Sequence, residues 1–227
     1  MIDFTKYRLW IFDCDGVLLD SNRMKTAAFA KVVSGYSKEC IEPFLEFQKT
    51  AFGLSRFRTF DAFFDRFLGR PPYDGEKEKL LSEFAEYCEL QYPQQPVTAG
   101  AHELLLSLVA RSCIAYVASG SEQSELRQAL KKVGLSDHFR DIFGSPRKKS
   151  DLVADILQRE QDVDPSEVLF IGDAKADFEA ASSNGVAFLQ VSHYAADPTG
   201  MSALREEQAF PHVATLADIT LLERTSK

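Results

Sequence analysis

The sequence is short of several things that would place the protein in a membrane or on a nucleic acid. No apolar run approaches the length of a membrane span, and Met1–Leu9 mixes acids and bases where a signal peptide needs a clean apolar core. A cytoplasmic protein that makes no use of a membrane is therefore expected. Positive charge is also scarce: 26 Lys and Arg stand against 34 Asp and Glu, a net charge of −8. That balance argues against a sequence-independent grip on nucleic acid, and it requires any anionic ligand to be met by locally placed cations. Cysteine is sparse, and Cys14, Cys40, Cys88 and Cys113 lie too far apart for a paired metal-ligand motif, so buried reduced thiols are expected. There is no internal repeat or low-complexity tract. What remains is an ordinary globular composition, 45% hydrophobic and 26% charged over 227 residues, enough for one large domain or two small ones.

The chain is organised around one stretch near its start. Leu9–Phe12 is a short apolar run with the composition of a central parallel strand, and it ends in Asp13-Cys14-Asp15 with Gly16 permitting a tight turn behind the acids. Two adjacent carboxylates repel unless a cation or a shared proton intervenes, so a divalent metal site or an acid/base pair competes here with a plain solvated strand end. Cys14 reads as small apolar filler, because nothing near it in sequence would activate a thiolate. From Met24 to Pro96 the pattern turns helical. Ten of the 18 Phe fall between Phe29 and Phe84, and Phe57, Phe60, Phe63, Phe64 and Phe67 recur at helical spacing, which predicts an all-helical unit with its own small core. Arg70–Gly75 reads as a loop, Glu76–Gln91 as a helix and Tyr92–Pro96 as the linker out.

Strand and helix then alternate. Strands are expected at Cys113–Ala118, Ile142–Phe143, Val168–Ile171 and Ala187–Val191, with helices over Ala101–Ser112, Glu122–Val133, Asp151–Gln161 and Ala174–Asn184 between them. His193–Gln208 reads as a polar loop, followed by a short apolar segment at Phe210–Val213 and a final helix capped by Thr215. The pattern predicts an α/β fold: a doubly wound parallel sheet of residues 1–21 and 97–227, with residues 22–96 inserted over the carboxyl end of the first strand.

Ligands gather at such strand ends. The second strand runs into Ser119-Gly120-Ser121, a hydroxyl and backbone N–H groups before a helix. The third is followed by Arg147-Lys148-Lys149 and the fourth by Gly172-Asp173-Ala174-Lys175-Ala176-Asp177. Each is bland alone, as a helix cap or a solvated charge. Together they place acids, a hydroxyl and a lysine on one rim, the set that phosphoryl transfer through a covalent aspartate requires, with Mg2+ offsetting the repulsion between carboxylate and phosphate.

At Asp13-Cys14-Asp15-Gly16-Val17-Leu18-Leu19-Asp20-Ser21, Val117-Ala118-Ser119-Gly120, Lys149 and Gly172-Asp173-Ala174-Lys175-Ala176-Asp177 the sequence resembles, in order, the four motifs of the haloacid dehalogenase superfamily. The helical insertion is similar to the small cap of its phosphoglycolate phosphatase and β-phosphoglucomutase branch. The resemblance implies Asp13 as nucleophile and Mg2+ ligand, and Asp15 as general acid and then base, with its carbonyl on the metal. It implies Ser119, Gly120 and Lys149 on the phosphoryl group, Asp173 on the metal and Asp177 in support. Dehalogenases of the superfamily lack the second acid of the first motif, so Asp15 favours phosphate chemistry. Gly53-Leu54-Ser55-Arg56 resembles the family's Gly-x-Ser-Arg substrate loop, which makes Arg56 a cap residue for a second anionic or polar group; its alternative is an exposed surface arginine.

Three departures stand out. Val17 replaces the commonest Thr. The third motif lacks a Lys-Pro pair, leaving Lys148 as a rival to Lys149. Lys25 occupies the place of a histidine found in the family's sugar phosphomutases, which lowers the mutase reading. The expected function is a Mg2+-dependent phosphatase acting on a small phosphorylated metabolite. A phosphomutase is the alternative within the family, and a phospho-accepting module like a response regulator is the alternative outside it. Nothing in the sequence specifies the substrate or the oligomeric state.

Overall fold

The computed structural model describes residues 2–225. Six parallel strands form one sheet in the order β3-β2-β1-β4-β5-β6: β1 (Leu9–Phe12), β2 (Ile114–Glu122), β3 (Asp141–Ser145), β4 (Val168–Gly172), β5 (Ala187–Val191) and β6 (His212–Val213). All four residues of β1 are buried because neighbours flank it on both sides, with Phe12 in register with Val117 of β2 and Ile171 of β4. The side-chain period of two splits the strand between the faces of the sheet. Trp10 and Phe12 face α5 (Ala101–Ala110), α6 (Gln123–Lys132) and α10 (Leu216–Thr225), whereas Leu9 and Ile11 face α7 (Lys149–Arg159), α8 (Lys175–Ser183) and α9 (Pro198–Gln208). The strand order reverses direction between β1 and β4, so the crevice of an open α/β sheet falls where Asp13 and Asp173 end their strands.

The inserted helices are α1 (Asn22–Val32), α2 (Lys38–Thr50), α3 (Arg56–Ala62) and α4 (Glu76–Gln91). The chain enters and leaves them side by side. Asp20 N donates to Pro96 O at 2.9 Å and Thr98 N to Leu18 O at 3.0 Å, a two-stranded hinge. The phenylalanine stripe packs in part: Phe60 and Phe63 interlock with Phe29, Phe44 and Phe84 at centroid separations of 4.4–5.9 Å, Phe64 is buried with them and Phe67 half-buried against them, but Phe57 lies outside the cluster. Each such ring contributes about 1.5–3 kcal/mol by burial. A π-helical turn at Phe63–Phe67 follows α3 and turns both Phe63 and Phe64 inward. This core is not private, contrary to expectation. It is continuous with the apolar layer above Trp10 and Phe12, through a cluster that also includes Cys14, Leu18, Met24 and Tyr92.

Three further expectations need correction. His193–Gln208 is not all loop, since Pro198–Gln208 forms α9. Asp197 caps it through Gly200 N at 2.9 Å with Pro198 at the first helical position, and buried Met201 anchors it. Its polarity hid a helix that buries only a narrow stripe. Strand β2 continues through Ser119–Ser121 to Glu122 with an irregular register against β3, so these serines precede the helix rather than cap it. Glu122 caps α6 instead, accepting from Ser124 N and Glu125 N. Finally, α7 starts at Lys149, two residues before the expected Asp151.

Candidate active site

The turn after β1 sets the site. Asp13 N donates to Ile171 O at 2.9 Å, extending the ladder by one residue and holding the first acid at the sheet edge. The chain then folds back, with Leu18 N and Leu19 N donating to Cys14 O. Gly16 has φ +78°, and a Cβ there would lie 2.3 Å from Asp173 Oδ2 and 2.4 Å from Asn22 Nδ2. Only glycine allows this turn to press against β4's acid. Cys14 is buried and takes the Tyr92 hydroxyl at 3.2 Å; burial pushes its thiol well up, the behaviour of filler and not of a nucleophile.

Four of the expected residues meet around a buried lysine and its acids. Lys149 Nζ lies 3.1 Å from Asp13 Oδ2 and hydrogen-bonds Asp177 Oδ1. Burial alone would lower the ammonium, but the two carboxylates outweigh it and raise it. Lys149 sits one turn from Leu152 and Val153 on the buried face of α7, whereas Lys148 is exposed, so Lys149 is the lysine brought to the acids. Asp177 spends its other oxygen on the start of α8, accepting from Asp173 N at 3.1 Å and Ala174 N at 3.0 Å. It thereby positions both Lys149 and the backbone of Asp173. Asp173 Oδ2 accepts from Asn22 Nδ2 at 2.8 Å.

Asp13, Asp173 and Asp177 can each offer a carboxylate oxygen within 4.8 Å of the others, all buried. Asp13 Oδ1 has no hydrogen-bond partner. Burial pushes the Asp13 carboxyl up to about 7, Lys149 opposing and Asp177 and Asp15 adding to the rise. Burial, with Asp177 and Asp13, likewise pushes Asp173 well up, against the Asn22 hydrogen bond. Hard oxygen donors held this close together, one of them orphaned, make a cluster suited to a small divalent cation.

Asp15 is arranged differently. Its two oxygens accept from Ser21 Oγ and Ser121 Oγ, both at 2.5 Å, and Lys25 Nζ lies 3.9 Å away. Burial favours the neutral acid, but Lys25 and the two hydroxyls together outweigh it and hold the carboxyl below its usual range. Ser119 is buried beside it and accepts from Ser121 N at 3.2 Å. Asp13, Asp15, Ser119, Gly120 and Asp173 line one cavity.

A model of haloacid dehalogenase-like hydrolases matches residues 7–185. The chain belongs to that family. Its fold is that of solved structures including a hydrolase from Pseudomonas syringae (21% identity, TM-score 0.75, covering 94% of this chain and 96% of that one) and a predicted phosphatase from Clostridium acetobutylicum (19%, 0.76, 96% and 99%). β-Phosphoglucomutase from Clostridium difficile is similar as well (18%, 0.70, 93% and 92%). Among curated proteins none matches significantly.

The cap of this family member closes the cavity from above. A Cβ on Gly120 would lie 2.5 Å from Gly53 O, and one on Gly53 would lie 2.8 Å from Ala176 Cβ, so the Gly53-Leu54 loop rests directly on the sheet edge. Arg56 also lines the cavity, but its guanidinium is buried and doubly hydrogen-bonded to Glu125 of α6, with Nη1 to Oε1 at 2.7 Å. Neither expectation for Arg56 described this, since it is neither exposed nor free for a ligand. Asn22, Ser21 and Glu125 escaped the sequence reading. The signal for Ser21 and Asn22 was their place at the end of the first motif and directly behind it; for Glu125 there was none.

Proposed function

We propose that this hydrolase is a Mg2+-dependent phosphatase that cleaves a small phosphomonoester through an aspartyl-phosphate. The observation that carries the reading is Asp15, a second acid facing the same cavity as Asp13, which halide displacement would not need and an alkoxide leaving group does. Asp13 attacks phosphorus, the bond from phosphorus to the ester oxygen breaks, and Asp15 gives that oxygen its proton. Water then attacks the phosphorus, Asp15 takes the water's proton, and the bond to Asp13 breaks to release phosphate. The hydroxyl of Ser119, the Gly120 N–H and Lys149 are suited to hold the phosphoryl oxygens. The carboxylates of Asp13 and Asp173, with the Asp15 carbonyl, would hold Mg2+, which offsets the charge of acids and phosphate when bound. Asp177 acts by positioning Lys149 and Asp173. Residues 22–96 act as the cap that excludes water during the first step.

Asp15 tied to Ser21, Ser121 and Lys25 is in the ionised state that activates water. For the first step it must take up a proton from solvent and exchange one of those bonds for the leaving oxygen, to which that proton then passes. The test is phosphate release from a panel of sugar phosphates, phosphoglycolate and nucleotides with Mg2+, beside Asp13→Asn. Turnover of at least one ester is expected, falling at least ~10³-fold in the variant. Full turnover in Asp13→Asn would overturn the covalent-aspartate mechanism.

A further inference from the structure

Among the described residues, every cation lining the cavity or touching its acids already has a carboxylate. Lys149 lies between Asp13 and Asp177, Lys25 stands by Asp15, and Arg56 holds Glu125. The last pair is unlike the others because its acid belongs to no motif and lies across the seam between cap and sheet. The side chains of Arg56 and Glu125 are 5% and 11% exposed, and the guanidinium lies 4.6 Å from the centre of the Phe84 ring. The polar groups left on the cap side of the cavity, Gln48 and Thr59, are uncharged, and Phe29, Phe52 and Phe84 complete the wall.

We propose that Glu125 occupies the anion-binding capacity of Arg56 and so selects phosphomonoesters whose other end is uncharged, against those carrying a second anionic group. The inference rests on the phosphatase reading above and adds the class of substrate. A carboxylate or second phosphate on the ligand has two ways to reach Arg56. It shares the guanidinium with Glu125, setting two anions side by side in a buried space, or it displaces Glu125 and leaves that carboxylate buried without its partner. Either cost falls only on a ligand with the extra charge. A hydroxylated tail avoids both and finds hydrogen-bonding partners in Gln48 and Thr59.

The test compares kcat/KM for glycerol 3-phosphate and 2-phosphoglycolate, with p-nitrophenyl phosphate as a general reporter, in the wild type, Glu125→Gln, Arg56→Gln and the double variant. Glu125→Ala stands in if the isosteric change fails to fold. The wild type is expected to prefer glycerol 3-phosphate. Freeing the guanidinium in Glu125→Gln should move the ratio towards 2-phosphoglycolate by about tenfold, the size of one charge-assisted hydrogen bond. The double variant should lose that shift. A ratio unmoved in Glu125→Gln, a wild-type preference for 2-phosphoglycolate, or an equal shift in the double variant, as a merely loosened cap would produce, overturns the inference. Hydrolysis of p-nitrophenyl phosphate with no shift sinks the inference and leaves the phosphatase reading standing. No hydrolysis of any ester sinks both.

Discussion

Two lysines, each only 7% exposed, serve the two sides of the site in different ways. Lys149 belongs to the sheet side. It starts α7, and its ammonium is locked between Asp13 and Asp177, which are themselves fixed by strand ends and a helix start. Lys25 belongs to the cap side. It reaches across from α1 to hydrogen-bond Ser121 at 2.8 Å, lies over the Tyr92 ring at 3.9 Å, and meets Asp15 only at 3.9 Å. The charge beside Asp13 is thus built into the sheet, whereas the charge beside Asp15 is supplied by the cap. A cap closed over the sheet determines the electrostatics of Asp15 far more than those of Asp13.

The sharpest way to break this contrast is to delete each cation. Lys149→Met leaves two buried carboxylates facing each other, and urea unfolding should show a loss of about 3–5 kcal/mol, the cost of removing one member of a buried pair. Metal binding should follow the sheet side alone. Saturating Mg2+ should stabilise the wild type by about 2.7 kcal/mol at a hundred times Kd, leave Asp173→Asn unmoved in the same thermal melt, and still stabilise Lys25→Met. Lys25→Met itself should cost only about 1.5 kcal/mol, because the hydroxyls of Ser21 and Ser121 still satisfy Asp15, while kcat falls more than KM changes. Equal losses in the two lysine variants would break the distinction between sheet and cap.

The smallest effect belongs to the far end of the cap. Hydrogen bonds from Arg70 hold the Glu76 carboxyl down to about 2, burial opposing, with Tyr73 N and Tyr36 assisting. A depressed carboxyl stabilises the fold above its unfolded value of 4.5, and that contribution is lost as pH falls from 4.5 towards 2. Glu76→Gln should therefore be less stable than the wild type at pH 7, by no more than about 1 kcal/mol for a solvent-screened pair. Denaturation curves taken down to pH 3 should converge. A gap that persists or widens in acid would mean that the carboxylate charge plays no part.

By itself the sequence determined which acids end which strands. Leu9–Phe12 and Val168–Ile171 are continuous apolar runs, which fit only a strand buried on both faces, and Asp13 and Asp173 follow them directly. The parallel sheet and the interrupting helices were legible for the same reason, because burial along one element writes a period into its own residues. α9 was not, since it buries little more than Met201 and its polar face dominated the pattern. The choice between Lys148 and Lys149 needed the true helix start, which puts Lys149 in phase with Leu152, Val153 and Ile156. Only the tertiary structure decided the partners. Arg56 and Glu125 are 69 residues apart, and Asn22 reaches Asp173 across 151. Local pattern records whether a side chain is buried; which charge it meets there depends on how cap and sheet pack together.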